Sequence, residues 1–281
     1  LGLEWVLNDQ WLAKSITAYR KLDTASFIDI DASEFELGDV FVGVDQRQTS
    51  QELQFAYDNG GNLDAMFGLY YIDEQVPSHQ EAYADDFLRF GAIPISFLRT
   101  IDDDLSNKSV AGYAHANWEF SPSWTVSAGL RYTQDKKKYF RSTSTFSNIL
   151  GNANPALAFS ISDTWTALTP SVSVQKAFSD TMMGYFSANR GYKAGGFNGR
   201  ANTAAEVSTF EPEYVWTYEL GLKMQSEDGR LSGRVAAFHS TYKDFQARVS
   251  EVQNPGAPVP TFAFPVLNAA ELAIDGIEFE G

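Results

Sequence analysis

The chain has 281 residues, and its 36 Asp and Glu against 21 Lys and Arg give a formal net charge of −15. It contains no Cys, which excludes disulfides, thiolate metal sites and thiol nucleophiles. A chain this acidic repels phosphate backbones, so nucleic acid is not expected as a partner. No run of about 18 apolar residues is present, which excludes a transmembrane helix.

The elements predicted along the chain are strands, because apolar and polar residues alternate over most of its length. We count roughly eleven strands and no convincing long helix. In chain order, the alternation is clearest at residues 53–57, 63–71, 110–118, 124–133, 172–174, 216–222 and 231–237.

The connections between these strands fall into two classes that alternate strictly along the chain. In an antiparallel meander, this puts all short turns at one end of the sheet and all long loops at the other, which is the layout of an outer-membrane barrel. The short polar turns are predicted at 8–10, 59–62, 121–123, 179–180 and 225–229, and the long segments at 21–45, 73–107, 138–162, 193–213 and 250–264.

Strand length and tryptophan placement favour a bilayer over a soluble β-sandwich or propeller, whose strands alternate equally well. The ten residues 124–133 rise about 33 Å, or about 23 Å at a tilt near 45°, close to the apolar band of such barrels. All six tryptophans lie toward predicted strand ends, where membrane interfaces favour them. They are Trp5, Trp11, Trp118, Trp124, Trp165 and Trp216.

Six segments carry family-like strings in the same order along the chain: 49–53 with 67–71, 128–133, 187–198, 210–223, 237–246 and 268–280. They resemble TonB-dependent outer-membrane receptors of the siderophore-receptor type. This resemblance implies an all-β fold, a transmembrane antiparallel up-and-down β-barrel, in the outer membrane of a Gram-negative bacterium. Residues 1–281 would be a partial barrel domain, roughly half of 22 strands, without the N-terminal plug and the C-terminal strands.

The resemblance implies TonB-coupled uptake of a scarce nutrient, most often a ferric siderophore. The TonB complex would be reached through an N-terminal region outside this chain. Two alternatives stay open, a passive porin and a soluble β-rich binding module. No catalytic residue and no cofactor is expected, because the chain has neither a glycine-rich phosphate loop nor a nucleophile elbow.

The segment 190–198 is the candidate ligand-binding loop, because it combines two cations, adjacent glycines and aromatic rings suited to an anionic, partly aromatic ligand. The alternative is that Gly195 and Gly196 simply turn the chain and Phe197 packs against a neighbour. The candidate ligand-binding residues are Arg190, Tyr192, Lys193, Phe197 and Asn198.

Three charged residues, Arg131, Glu219 and Lys223, fall on the strand face opposite the apolar residues, as a polar lumen requires. We expect them to hydrogen-bond the plug rather than the substrate, because charges in a wide lumen need partners or water.

No metal site is predicted from the histidines, which lie far apart at His79, His115 and His239. The segments 21–45 and 73–107 together hold 15 acidic residues against three cations. One interpretation is a solvated acidic surface, from which divalent cations bridge the protein to lipopolysaccharide and outer-membrane lipid. The other is that these segments attract a cationic ligand or calcium.

Overall fold

The computed structural model describes residues 1–87, 89, 96–148, 151–201, 203–252, 256 and 262–281. Eleven strands form one antiparallel sheet in the order β1 to β8, β11, β12, β17, and the short strands pair as β9 with β10, β13 with β16 and β14 with β15. The strands are β1 (Gly2–Asn8), β2 (Trp11–Ile28), β3 (Leu37–Asp58), β4 (Leu63–Ala84), β5 (Phe97–Ser121), β6 (Trp124–Ser147), β7 (Gly151–Ser179), β8 (Met182–Lys193), β9 (Gly196–Phe197), β10 (Thr209–Phe210), β11 (Glu213–Gln225), β12 (Ser232–Lys243), β13 (Gln246–Arg248), β14 (Glu251–Val252), β15 (Phe262–Ala263), β16 (Val266–Asn268) and β17 (Leu272–Glu280).

The large sheet confirms the predicted up-and-down fold, because each of its strands pairs antiparallel with the next large strand along the chain. Short turns join β1 to β2, β3 to β4, β5 to β6, β7 to β8 and β11 to β12, as the sequence predicted. No helix in the described ranges is both long and apolar enough to cross a bilayer.

The two faces of the large sheet differ in chemistry, as strand alternation requires. On the apolar face of β6, Leu130 and Tyr132 are about half exposed, and on β11 Leu220 is 64% exposed. On the opposite, polar face of β6, Thr133 and Asp135 are buried by neighbouring side chains. Large side chains left uncovered over one whole face are typical of a surface that meets lipid.

Three of the segments predicted as long loops are mainly strand. β3 to β7 are 22 to 29 residues long, so only 29–36, 85–96 and 148–150 separate the strands of these hairpins. The prediction was wrong because the backbone ladder continues beyond the apolar band, where polar residues predominate and the regular hydrophobic alternation stops. The segment 250–264 lies partly outside the described residues.

Trp165 is not an interfacial tryptophan, contrary to the sequence interpretation. It lies within β7, on the polar face, opposite Asp135 of β6, and only 5% of its surface is exposed. Trp216, which also lies near a segment predicted as a long loop, is on the apolar face of β11, two positions from Tyr218. The interpretation failed at Trp165 because it took the end of the predicted strand for the end of the real one.

Two glycines on the polar face make room for tyrosine rings from the adjacent strand. A Cβ at Gly68 would lie 2.1 Å from Cζ of Tyr113, and a Cβ at Gly221 would lie 2.3 Å from Cζ of Tyr185. Tyr113 then donates a hydrogen bond to Glu52 at 2.5 Å. The flat ring therefore covers the glycine and fixes a carboxylate two strands away.

We predict that Gly68→Ala lowers the melting temperature of the full-length receptor in detergent. The added methyl group displaces the Tyr113 ring and breaks its bond to Glu52, an overpacking cost of about 1 to 3 kcal/mol. The matched control is Gly112→Ala, whose Cβ would meet Leu69 at an ordinary 3.7 Å. Equal melting temperatures for the two variants would contradict the prediction.

Candidate functional site: a loop folded onto the polar face

The segment 193–213 folds back over the polar face of β6 and β7 instead of extending away from the sheet. Its ends pair as β9 and β10, with Phe197 opposite Thr209. Two cations of β6 hold its backbone: Lys137 donates to the Gly195 carbonyl oxygen at 2.8 Å, and Arg141 donates to the Gly199 carbonyl oxygen. The loop is therefore tied to the sheet on both sides of Phe197.

The ring of Phe197 fills the space between these two ties. It stacks on Tyr139 with ring centres 6.1 Å apart and a 7° angle between planes, and its centre lies 5.8 Å from that of Trp165. A Cβ at Gly195 would lie 2.5 Å from Trp165, so only glycine lets the backbone come this close. These are packing contacts of the kind that the alternative interpretation of this segment expected. A contact between Phe197 and a ligand stays a prediction.

Asn198 holds the loop's own turn together. Its side chain is 3% exposed, its amide donates to the Glu206 carbonyl oxygen at 3.0 Å, and its Oδ1 accepts the backbone N–H of Arg200 at 3.2 Å. Its hydrogen-bonding groups are thus used within the loop, and its predicted contact with a ligand remains untested.

The other three candidate residues lie along the β8–β11 pair. The Arg190 guanidinium lies 4.3 Å from the Tyr214 ring centre and donates to the Leu168 carbonyl oxygen at 3.1 Å. The Tyr192 ring is 5.6 Å from the Tyr214 ring. Lys193, whose side chain is 61% exposed, approaches Glu213 at 3.7 Å. Their role in binding stays a prediction.

Beneath the folded loop, β5 and β6 carry a buried charged cluster. Tyr139 donates to Asp103 at 2.7 Å, and Nε of Arg141 lies 3.5 Å from the same carboxylate. Burial raises the pKa values of Asp103 and Tyr139, and burial lowers the pKa of Lys137. Water is therefore largely excluded here, which strengthens the bonds that hold the loop.

Next to this cluster is a cavity of about 460 Å³ that sequence reasoning missed. Three guanidinium groups line it: Arg99 of β5, Arg141 of β6 and Arg200 of the folded loop. Burial, and then the proximity of Arg141, lower the pKa of Arg99. Arg99 and Arg141 lie in segments predicted as loops, so their shared sheet face was not visible in the sequence.

A match over the whole chain decides the family. The family model described as TonB dependent receptor-like, beta-barrel matches residues 1–281. The chain belongs to the TonB-dependent receptor β-barrel family. It is therefore a segment of a Gram-negative outer-membrane barrel, and the polar face of its sheet is the lumen side.

Relatives of the receptor barrel agree with this. The pesticin receptor of Yersinia pestis is 24% identical over 257 residues, which are 89% of this chain and 34% of that protein. The ferric yersiniabactin uptake receptor FyuA from Yersinia pestis superposes with a TM-score of 0.78 at 19% identity, covering 99% of this chain and 38% of that one. The siderophore receptor PiuA from Acinetobacter baumannii superposes with a TM-score of 0.66 at 16% identity, covering 99% of this chain and 42% of that one. The chain spans about a third of the length of the curated relatives that it matches.

The three lumen residues of the receptor barrel have partners within the barrel wall. The Arg131 guanidinium lies 5.5 Å from the ring centre of Tyr70 and donates to Thr133 at 3.1 Å. Glu219 accepts a hydrogen bond from Tyr185, and the Lys223 ammonium lies 5.4 Å from the centre of that tyrosine ring. Contact of these residues with a plug stays a prediction.

The acidic segments of the receptor barrel place one set of carboxylates together. Atoms of Asp29, Asp31 and Asp39 lie within 4.8 Å of one another. Asp31 also accepts backbone N–H bonds from Ser33 and Leu37, so the carboxylates order their own hairpin turn. Binding of calcium or a cationic ligand by these segments stays a prediction.

We predict that Phe197→Ala frees the folded loop for cleavage by trypsin after Arg200 in the full-length receptor. Losing two ring pairs costs about 1 to 3 kcal/mol, so cleavage should be roughly tenfold faster or more. The control is Phe140→Ala, which removes a ring from the other face of β6 and should leave the rate unchanged. The prediction fails if both variants are cleaved like the wild type.

We predict that His79 titrates above its ordinary pKa of 6.5, because it bonds Asp102 at 2.6 Å and Glu81 at 3.0 Å. A raised pKa means that these ion pairs stabilise the fold fully below pH 6.5 and are lost as the pH rises through the higher folded value. The measurement is a histidine NMR titration of the receptor, with the signal assigned by His79→Gln. In Asp102→Asn the His79 pKa should fall, and an unshifted pKa there would count against the arrangement.

Proposed function

We propose that this chain forms part of the lumen wall of a receptor that takes up a scarce nutrient as an anionic ferric chelate, such as a ferric siderophore, with energy from the TonB complex. The observation that carries the proposal is the arginine-lined cavity, the site formed by Arg99, Arg141 and Arg200. The plug and the region that contacts TonB would be supplied by other parts of the receptor.

The position of the cavity supports a role in capture from outside the cell. Arg141 follows the first residue of β6 by 17 positions, which at about 3.3 Å per residue and a tilt near 45° is about 40 Å from the short turns. Short turns lie on the periplasmic side in such barrels, and the apolar band is about 25 Å tall. A ligand arriving from the medium would therefore meet the cavity before it reaches the membrane-spanning part of the lumen.

The chemistry of the cavity selects for negative charge. Guanidinium groups pair with carboxylate and phenolate oxygens in a planar, two-pronged geometry. Asp103 offsets part of the charge of Arg141, and the nearby Glu206 offsets part of the charge of Arg99. Arg200 is exposed, and its guanidinium lies 5.7 Å from the Phe264 ring centre. Glu81 of β4 also lines the cavity, where three arginines outnumber this one acidic residue.

The names of the relatives point in the same direction but do not identify the cargo. The pesticin receptor, the ferric yersiniabactin uptake receptor and the siderophore receptor PiuA are named for pesticin, ferric yersiniabactin and siderophores, respectively. The copper transporter OprC shares the fold, with a TM-score of 0.66 at 14% identity. Because one fold serves different metals, the ligand class in our proposal rests on the arginines of this chain.

Membership in a family of TonB-dependent receptors does not favour a passive porin or a soluble β-rich module. Binding and transport, rather than catalysis, are the activities proposed here. In this reading the folded loop shapes the cavity wall, and the candidates Arg190, Tyr192 and Lys193 lie beside it on the β8–β11 pair.

The test uses a strain in which the receptor gene is deleted and full-length variants are returned. Iron-limited growth is measured on a panel of ferric chelates of differing charge, and rescue by one anionic chelate identifies the cargo. For that chelate, Arg200→Gln should weaken binding roughly tenfold to a hundredfold, the value of one hydrogen bond to a charged group. Arg200→Lys keeps the charge and should lose less.

The matched control is Arg230→Gln. Arg230 is 85% exposed in the short turn between β11 and β12 and contacts Asp228 at 3.6 Å, at the opposite end of the barrel. It should bind and grow like the wild type. If rescue came only from a cationic or neutral ligand, or if Arg200→Gln bound the chelate normally, the proposed ligand class would be wrong.

A further inference from the structure

The apolar face of the sheet carries a level row of cations immediately beyond its apolar band. Lys21, Arg47, Lys108 and Lys136 lie on β2, β3, β5 and β6, each ten to thirteen residues along its strand from the short turn. All four are exposed. Because the short turns lie at one end, equal distance along equally tilted strands means equal height, about 25 Å from the turns.

This height coincides with the end of the lipid-facing band. The last large apolar side chains below the cations on this face are Tyr19 of β2, Val110 of β5 and Tyr132 of β6, all at least half exposed. The cations follow two to four residues later on the same face. They therefore lie a few ångströms beyond the hydrocarbon, at the depth of lipid headgroups.

The register of the sheet puts like charges directly opposite each other in this row. Lys21 pairs with Arg47, and Lys108 pairs with Lys136. Such cross-strand pairs are destabilising unless an anion lies between them. Carboxylates neutralise only part of this positive charge: Asp45 contacts Arg47 at 2.9 Å and Asp73 contacts Lys108 at 2.8 Å. In the part of the chain that the structure describes, Lys21 and Lys136 form no ion pair.

On β2, β3 and β5 the next charged residue outward on this face is acidic, whereas on β6 it is a further cation, Lys138. Asp23 and Asp45 lie opposite each other one row beyond Lys21 and Arg47, and Asp104 lies four residues beyond Lys108 on β5. A small anion approaching from the medium would have to pass these carboxylates. An anion anchored in the membrane reaches the cations from the side, at their own depth.

We propose that Lys21, Arg47, Lys108 and Lys136 bind the phosphate groups of the phosphorylated glycolipid in the outer leaflet. This replaces bridging of lipopolysaccharide by the acidic segments with direct contact by a basic row. The row does not line the lumen, so the proposal is independent of the transported cargo.

The test measures binding of diphosphorylated lipid A to the purified full-length receptor in detergent. Each charge removed should weaken binding about fivefold, so Lys108→Gln with Lys136→Gln should weaken it about twentyfold or more. The matched control is Lys176→Gln, which removes a cation from the same face of β7 near the short turns, beside Trp124. It should bind lipid A like the wild type.

A second variant gives opposite changes in two measurements. Lys136→Glu places a carboxylate opposite Lys108, so in lipid-free detergent it should raise the melting temperature while it weakens lipid A binding. A purely structural role for the row would change stability without changing affinity. Lipid A lacking both phosphates should bind the wild type at least as weakly as diphosphorylated lipid A binds the double variant, because the double variant keeps Lys21 and Arg47.

Three results would overturn the proposal. The first is wild-type affinity for lipid A in the double variant. The second is equal affinity for lipid A with and without phosphates. The third is complete displacement of lipid A by millimolar inorganic phosphate, which would indicate a site for soluble anions instead of a membrane lipid.

Discussion

The fold depends on one constraint, that every backbone N–H and C=O in hydrocarbon must be bonded within the protein. The eleven-strand ladder satisfies it by pairing each long strand with the next one along the chain. Once the ladder fixes the register, side-chain direction follows from parity alone. The same rule that places Leu130 toward lipid and Arg131 toward the lumen places Arg99 and Arg141 inside and the basic row outside.

The ladder does more than cross the membrane, because β3 to β7 continue well beyond the apolar band. Their outer halves form a polar wall on which the segment 193–213 rests. Lys137 and Arg141 on this wall bond the loop's carbonyl oxygens, and Tyr139 with Trp165 receives the Phe197 ring. The position of the folded loop at the outer end of the lumen is thus set by strands.

The sequence predicted the all-β class, the approximate strand number, the alternating connections and the family. These succeed because lipid enforces alternation at each position, as from Trp124 to Tyr132. The prediction from sequence failed beyond the lipid-facing band, where lipid no longer requires this alternation. Beyond Tyr132 the strand continues mainly through polar residues with no hydrophobic period, so Arg141 was assigned to a loop and Trp165 to a strand end, and the face that they share was not recognised. The role of Gly195 was left open between ligand binding and turning the chain, and its close approach to Trp165 was not predicted because that ring lies on β7, distant in sequence.

The way in which the folded loop is fastened has a consequence for how such a receptor could change its cargo. Lys137 and Arg141 donate hydrogen bonds to main-chain carbonyl oxygens, which every amino acid residue has. Outside the glycines, Phe197 and Asn198, the loop sequence can therefore change residue by residue while its attachment to the wall persists. New specificity could arise at Arg200 and its neighbours on a support that does not have to be rebuilt.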